Sequence, residues 1–311
     1  MRQGSNRQPM DGMMLVLLAA VIWGTTGTSQ ALAPSGASSM TIGALRLIVG
    51  GTALLTVSLL GGGLDRNLLR HPWVTIVAAS MVAAYQLCFF AAVSVTGVAV
   101  GTMVAIGSSP VLAGVATYLL RRRLPDRSWF FATIFAIAGC ILLFIPNQGE
   151  MVHVQPRGVI LAMGAGAAYV GYTMAIKTLL RSARPDGVIA VVFALGGLLL
   201  SPALIGSDLR WAFQPRGILV VLHLGLFATA LAYVLFARGL KTIPTAHAVT
   251  LSLAEPLTAS LLGFIVLRER LTSYSLIGMI SIFAGLAILG IANRQAEAEP
   301  ATPASPSHEG T

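Results

Sequence analysis

The 311-residue chain is short of charge: Asp, Glu, Lys and Arg together make up 10% of it, where soluble domains carry about 25%. Hydrophobic residues reach 56% and the mean hydropathy is +0.82. A soluble core cannot hide that much apolar surface, so the chain is read as an all-α membrane protein. Cysteine is scarce as well. Cys88 and Cys140 both lie in apolar runs, which argues against a disulfide framework and against a zinc site. No HExxH, no glycine-rich loop ending in Gly-Lys-Ser/Thr and no Gly-x-Ser-x-Gly occurs. Their absence speaks against an ATP-driven pump and the familiar membrane hydrolases. Neither a cofactor nor a metal is expected, and the chain is not read as an enzyme.

The formal charge is +9 and the pI about 10.4. In a soluble protein this would suggest nucleic acid, but here the arginines sit in short stretches between apolar segments and no basic surface with interleaved aromatics is present. A nucleic-acid partner is therefore not expected. The first twenty residues imitate a secretory signal, with Arg2 and Arg7 ahead of an apolar stretch and Ala31-Leu32-Ala33 as a mock cleavage site. Pro34 directly after that site, and a partner segment later in the chain, speak against cleavage.

Ten apolar stretches are long enough for ~30 Å of hydrocarbon, near 13-33, 38-61, 73-93, 97-120, 129-146, 157-177, 187-206, 216-237, 245-267 and 273-292. Fourteen of the 20 Lys and Arg residues fall on one side of these spans and five on the other, with Arg46 inside a span. The positive-inside rule then places both termini in the cytoplasm. Shifted by 146 positions the chain matches itself at Gly12/Gly158, Gly50/Gly196, Gly51/Gly197, Phe90/Phe236, Thr96/Thr242, Pro110/Pro256 and Gly139/Gly285. Residues 11-146 and 157-292 are thus two five-helix repeats. An odd number of crossings in each inverts one relative to the other, which is a carrier architecture. Residues 293-311, rich in Ala, Glu, Pro and Ser, read as a disordered cytoplasmic tail.

Trp23-Gly24 in the first span, Arg46-Leu47 in the second, Glu255-Pro256 in the ninth, and Glu269-Arg270-Leu271 followed by Gly278 and Gly285 around the tenth form an ordered set. With the five-plus-five layout, it resembles the EamA-type transporters of the drug/metabolite transporter superfamily, over roughly 11-292. The first copy departs from the pattern, with Ser109-Pro110 where the second has Glu255-Pro256 and Arg121-Arg122-Arg123-Leu124 in place of Glu-Arg-Leu. The resemblance implies a bacterial inner-membrane carrier, most similar to exporters of amino acids, including aromatic ones. It also implies a central cavity bounded by the first, third, fourth, sixth, eighth and ninth spans.

Candidate residues follow from polarity at membrane depth. Glu255 lies midway in a span, where a carboxylate costs about 2.5 kcal/mol or more. It reads as a substrate or coupling group, or as a polar plug at the proline break. Arg46 reads as a carboxylate contact, as an ion-pair partner of Glu255, or as a tether to backbone carbonyls. His223 and His247 are candidate coupling residues, or hydrogen-bonded packing residues. Trp23, Thr26, Tyr85, Gln86, Tyr169, Tyr172, Tyr233 and Ser252 are candidate cavity-lining positions, with interhelical hydrogen bonding as the plainer role. Tyr169, Tyr172 and Thr173 share one helical face, as do Ser252, Glu255 and Ala259. Pro110 and Pro256 are expected to kink equivalent helices. The expected partners are a small-molecule substrate and membrane lipid; monomer versus homodimer stays open. A facilitative channel, or a carrier of drugs, amines or purines, remains an alternative.

Overall fold

The computed structural model describes residues 8-64, 66-122, 124-145, 155-268 and 271-298. The described residues form helices and no strands: α1 (Gln8–Ala31), α2 (Ser39–Leu60), α3 (Pro72–Thr96), α4 (Val98–Arg121), α5 (Arg127–Leu143), α6 (Pro156–Leu179), α7 (Pro185–Leu200), α8 (Pro215–Thr242), α9 (Thr245–Val266) and α10 (Ser273–Ala298). Nine of them are long and apolar enough to cross a membrane; α5, with 17 residues, is a shorter apolar helix. The expected 18-residue span at 129-146 is therefore shorter than drawn, and α8 is longer, at 28 residues. Helix α10 continues through 293-298, into the segment expected to be a disordered tail. The rest of that tail, Arg2, Arg7, Arg123, Glu269 and Arg270 lie outside the described residues.

Local chemistry sets the helix ends. Pro72, Pro156, Pro185 and Pro215 occupy first-turn positions, where the missing N–H has no partner to lose. The Ser38 hydroxyl accepts from the Thr41 N–H at 3.1 Å to cap α2. At the other kind of end, Lys177 Nζ donates to the carbonyls of Leu240, of Lys241 at 3.1 Å and of Ile243 at 2.9 Å, neutralising the C-terminus of α8. A single residue, Gly97, joins α3 to α4 at φ 84 and ψ 161, a conformation essentially closed to any side chain.

The duplication is visible in packing. A Cβ on Gly51 would meet the Phe193 carbonyl, and one on Gly197 the Leu47 carbonyl; Gly12 faces Thr242 while Gly158 faces Thr96. Gly139 sits against Gly278 and Ile282, and Gly285 against Ala132 and Ala136. Every one of these contacts maps onto its counterpart by the same 146-residue shift. Helices α2 and α7 pack on each other, as do α5 and α10, while α3 on α6 is repeated as α8 on α1. With apolar lipid outside, such close backbone approaches through small residues supply the packing that holds helices together.

The two kink prolines behave differently. Pro256 cannot donate to the Ser252 carbonyl, and the Glu255 N–H takes that carbonyl instead at 2.9 Å. Helix geometry is interrupted at Ser252 and Leu253. Helix α4 stays helical through Pro110, so the interruption of the helix seen before Pro256 has no counterpart there. A second irregularity was not anticipated: His223–Leu231 of α8 is π-helical, with the Thr229 hydroxyl bonded to the Leu224 carbonyl at 2.8 Å.

Candidate functional site

Small residues bring the polar positions together. Gly24 lets α1 lie against α9, since a Cβ there would stand 2.9 Å from the Glu255 carbonyl oxygen and 2.5 Å from Thr258 Cβ. This turns the neighbouring Trp23 inward, with its ring 4.8 Å from Tyr233 and 5.2 Å from Phe236. Gly43 makes room for the Phe90 ring and so seats α2 on α3 with Arg46 beside Gln86. Tyr85 of α3 then faces Tyr169 at 6.2 Å and Tyr172 at 6.4 Å across the bundle.

These side chains enclose a cavity of about 250 Å³. Trp23, Thr26, Tyr85, Gln86, Tyr169, Tyr172, Tyr233, Ser252 and Glu255 border it, together with Arg46. The walls are aromatic and the floor is hydroxylated. Ser252 donates to the Ala248 carbonyl at 3.0 Å, so the Tyr169 hydroxyl, 2.7 Å away, donates to Ser252. Tyr172 and Tyr233 meet through their hydroxyls at 3.3 Å. Among the described residues Trp23 Nε1 and Thr26 Oγ1 are buried without a hydrogen-bond partner, an arrangement that costs about 1–3 kcal/mol per group unless a ligand or water completes it.

The two charges are arranged unequally. Gln86, 2% exposed, lies beside Arg46; only with its amide oxygen assigned toward the guanidinium are both groups satisfied, and it then accepts from Nε and Nη2 at 3.2 Å each. Arg46 is thus held by a side chain of α3, not by backbone carbonyls as its tether reading expected. No ion pair joins Arg46 to Glu255, although both line the same cavity. Among the described residues the Glu255 carboxylate takes no hydrogen bond, and it borders the cavity.

The cavity is built on the pseudo-symmetry and then made asymmetric by substitution. Trp23 and Tyr169 stand 146 positions apart, as do Thr26 and Tyr172, and Ser109 and Glu255; all six line it. It runs from mid-bundle toward one end, past Gln30 in the last turn of α1, Ser39 at the start of α2, Thr102 near the start of α4 and Phe144 at the end of α5. Among the described residues, none from the final turns at the opposite end, which holds the start of α1, borders it.

Three expected site residues lie elsewhere. Pro110 does not line the cavity. His223, in the π-helical segment, bonds Thr25 Oγ1 at 2.8 Å and stacks on Phe227 at 5.8 Å. His247 Nε2 bonds Asp126 Oδ1 at 2.9 Å at the end away from the cavity mouth. Burial of Asp126 raises its pKa, but the Ser128 hydroxyl and His247 outweigh this and hold the carboxyl below its ordinary value. Residues missed in the sequence include Phe89, Phe90, Thr102, Ile106 and Ser109 as lining positions. Their signal was helical spacing: Gln86, Phe90 and Val93 recur at i, i+4 and i+7, and Thr102, Ala105, Ile106 and Ser109 at i, i+3, i+4 and i+7.

Comparison with known proteins is consistent across sequence and fold. The model of the EamA-like transporter family matches twice, at residues 10–145 and 156–291. An uncharacterized transporter of Bacillus subtilis, YwfM, is 44% identical over 285 residues, covering 91% of this chain and 94% of its own. The threonine/homoserine exporter RhtA of Salmonella typhimurium is 32% identical over 197 residues, 61% of this chain and 62% of its own. A crystal structure of a protein 20% identical superposes with a TM-score of 0.79 over 92% of this chain and 98% of that one, a likeness of fold alone.

Proposed function

The chain belongs to the EamA-like transporter family, and from that premise we propose that it is a secondary carrier exporting small zwitterionic metabolites, amino acids foremost, by alternating access. Its ten helices cross the bacterial inner membrane as two inverted repeats with both termini in the cytoplasm. Helix α5, about 26 Å long at 1.5 Å per residue, crosses with the polar Asp126-Arg127 end at the interface, where snorkelling covers the few missing ångströms. The cavity mouth then faces the outside.

The observation that carries the substrate class is Arg46 and Glu255 lining one cavity without pairing to each other. A cation and a carboxylate that share the cavity without a salt bridge between them complement the carboxylate and ammonium of an α-amino acid. The tyrosines and Trp23 accept its side chain, aromatic residues included. A second reading rests on the same aromatic wall: Glu255 amid Tyr85, Tyr169 and Trp23 also suits a lone organic cation, through cation–π attraction. That the exporter RhtA is a relative favours the amino-acid reading.

The test is uptake by proteoliposomes against amino acids, amines, purines and drugs, with and without a pH gradient. Saturable flux with counterflow is expected for amino acids. Glu255→Gln should lower it at least tenfold by removing the ammonium partner, in line with the role of intramembrane carboxylates. Non-saturable flux without counterflow would mean a channel, and transport of amines with Arg46→Gln unaffected would mean the cation reading.

A further inference from the structure

Alternating access, the reading on which this inference rests, requires a second state that closes the present mouth and opens the other end. In an inverted repeat that state has a simple form, in which each half takes the arrangement now shown by its partner. The present asymmetry between the halves therefore identifies what must break and what must form.

Helix α9 is fastened to α5 at the end away from the cavity mouth. His247 Nε2 meets Asp126 Oδ1 at 2.9 Å, Trp129 Nε1 donates to the Ala246 carbonyl at 3.1 Å, and Thr133 and Thr250 share a hydroxyl hydrogen bond at 3.1 Å. Together they span two helical turns of α5. His247 and Trp129 are each 7% exposed, so the Trp129 and Thr133 bonds sit in a closed seam, while Asp126, 53% exposed, marks its edge. The equivalent seam lies between α4 and α10 at the mouth. There the six positions are Gly101, Thr272, Val100, Ser275, Val104 and Met279. Thr272 and Ser275 bond each other at 2.9 Å, and among the described residues no hydrogen bond joins α4 to α10. Four of the six positions are apolar or glycine and cannot form one through a side chain.

We infer that the α5–α9 seam, centred on Asp126 and His247, is a cytoplasmic latch that holds the carrier open to the outside, and that the opposite state has no matching latch. Opening inward separates a charge-assisted pair and two further hydrogen bonds. Closing the mouth offers in their place only the Ser275 hydroxyl to the Val100 carbonyl, with van der Waals contact at the other two pairs. The resting protein is consequently biased outward, and loading substrate from the cytoplasm requires the latch to part.

The experiment uses two cysteine reporters 146 positions apart. Thr102 borders the cavity, whereas its equivalent Ala248 is fully buried at 0% exposure. Inward opening exchanges their environments. With Cys88 and Cys140 replaced by serine, Thr102→Cys and Ala248→Cys are each placed in the full chain in lipid nanodiscs, and labelling rates with a charged maleimide are measured. With the latch intact, the cysteine at 102 reacts quickly and that at 248 slowly. Thr133→Val, a near-isosteric change at the buried Thr133–Thr250 bond, should raise the rate at 248 roughly 3- to 10-fold and lower the rate at 102 by a comparable factor, as expected for losing one such bond; Asp126→Ala, at the exposed end of the seam, should shift both rates about twofold in the same directions. Asp126→Asn, which keeps an acceptor for His247, should give an intermediate shift. If the latch variants leave both rates unchanged while an added amino-acid mixture shifts them reciprocally, the latch is overturned and alternating access stands. A rise at 248 with no fall at 102 is local fraying and also overturns the latch. If neither reporter responds to any variant or ligand in monodisperse protein, the rocking mechanism fails with it.

Discussion

Replacing Gln86 tests how the cavity holds its cation. Gln86 is 2% exposed and its amide oxygen accepts two N–H groups of Arg46 at 3.2 Å. Hydrogen bonds to a charged donor contribute about 1.5–3 kcal/mol each, and 3.2 Å is at the long end of the N–H···O range, so the pair is worth at most about 3 kcal/mol. Arg46 is only half-buried, and cavity water recovers part of that when the amide is removed. A net loss near 1.4 kcal/mol of guanidinium positioning corresponds to tenfold in affinity. Gln86→Leu, which keeps the volume, should therefore raise the KM for an amino acid about tenfold in proteoliposomes with little change in maximal rate. Gln86→Glu should do worse, because its carboxylate would occupy the guanidinium that the substrate carboxylate needs. Thermal stability of the glutamate variant should hold or rise, which separates a binding defect from unfolding. Unchanged KM in both variants would refute the assignment of Arg46 to the substrate carboxylate.

Equivalent glycines should differ in tolerance. An alanine methyl at Gly51 would lie 2.7 Å from the Phe193 carbonyl oxygen, whereas at Gly197 it would lie 3.2 Å from that of Leu47. Gly51→Ala should cost about 2–3 kcal/mol and Gly197→Ala about 1 kcal/mol, read by thermal unfolding in detergent; equal costs would show that the α2–α7 contact relaxes freely. Trp23→Phe removes a buried N–H that has no partner. Unfolding temperature should be unchanged or slightly higher, because the burial cost of about 1–3 kcal/mol for that group disappears, while substrate affinity falls. Asp126 has a carboxyl pKa held below its ordinary value by Ser128 and His247 against the upward push of burial. Its stabilising effect is thus complete above the unfolded value of about 3.9 and is lost as pH falls through the lower folded value. Because the side chain is 53% exposed, the effect is roughly 0.5 kcal/mol or less; the stability gap between wild type and Asp126→Ala should close below about pH 4.

Much of the architecture was legible because lipid removes choices. A helix that must satisfy its own backbone needs a long apolar run, and runs are countable; glycines that let backbones touch repeat with the fold they serve. Glu255 and the tyrosines could be named as cavity residues because a polar group at membrane depth must face protein or water. Arg46's partner was not legible, since α2 and α3 meet at Gln86 only through the packing of Phe90 into Gly43. The histidines show the same limit. Each lies in an apolar stretch, yet one ends beside Thr25 and the other beside Asp126, 121 residues away in sequence.

The sequence by itself determined the helices, the duplication and the kinds of residue available at mid-membrane, because period, length and charge act locally along the chain. Tertiary structure alone decided which equivalent positions meet. It set Trp23, Tyr169, Ser109 and Glu255 around one cavity, left Arg46 and Glu255 without a salt bridge, and joined α5 to α9 by hydrogen bonds that, among the described residues, the equivalent α4–α10 seam lacks. Those outcomes depend on contacts between helices far apart in sequence, and a shift of an ångström in their approach is enough to make or break them.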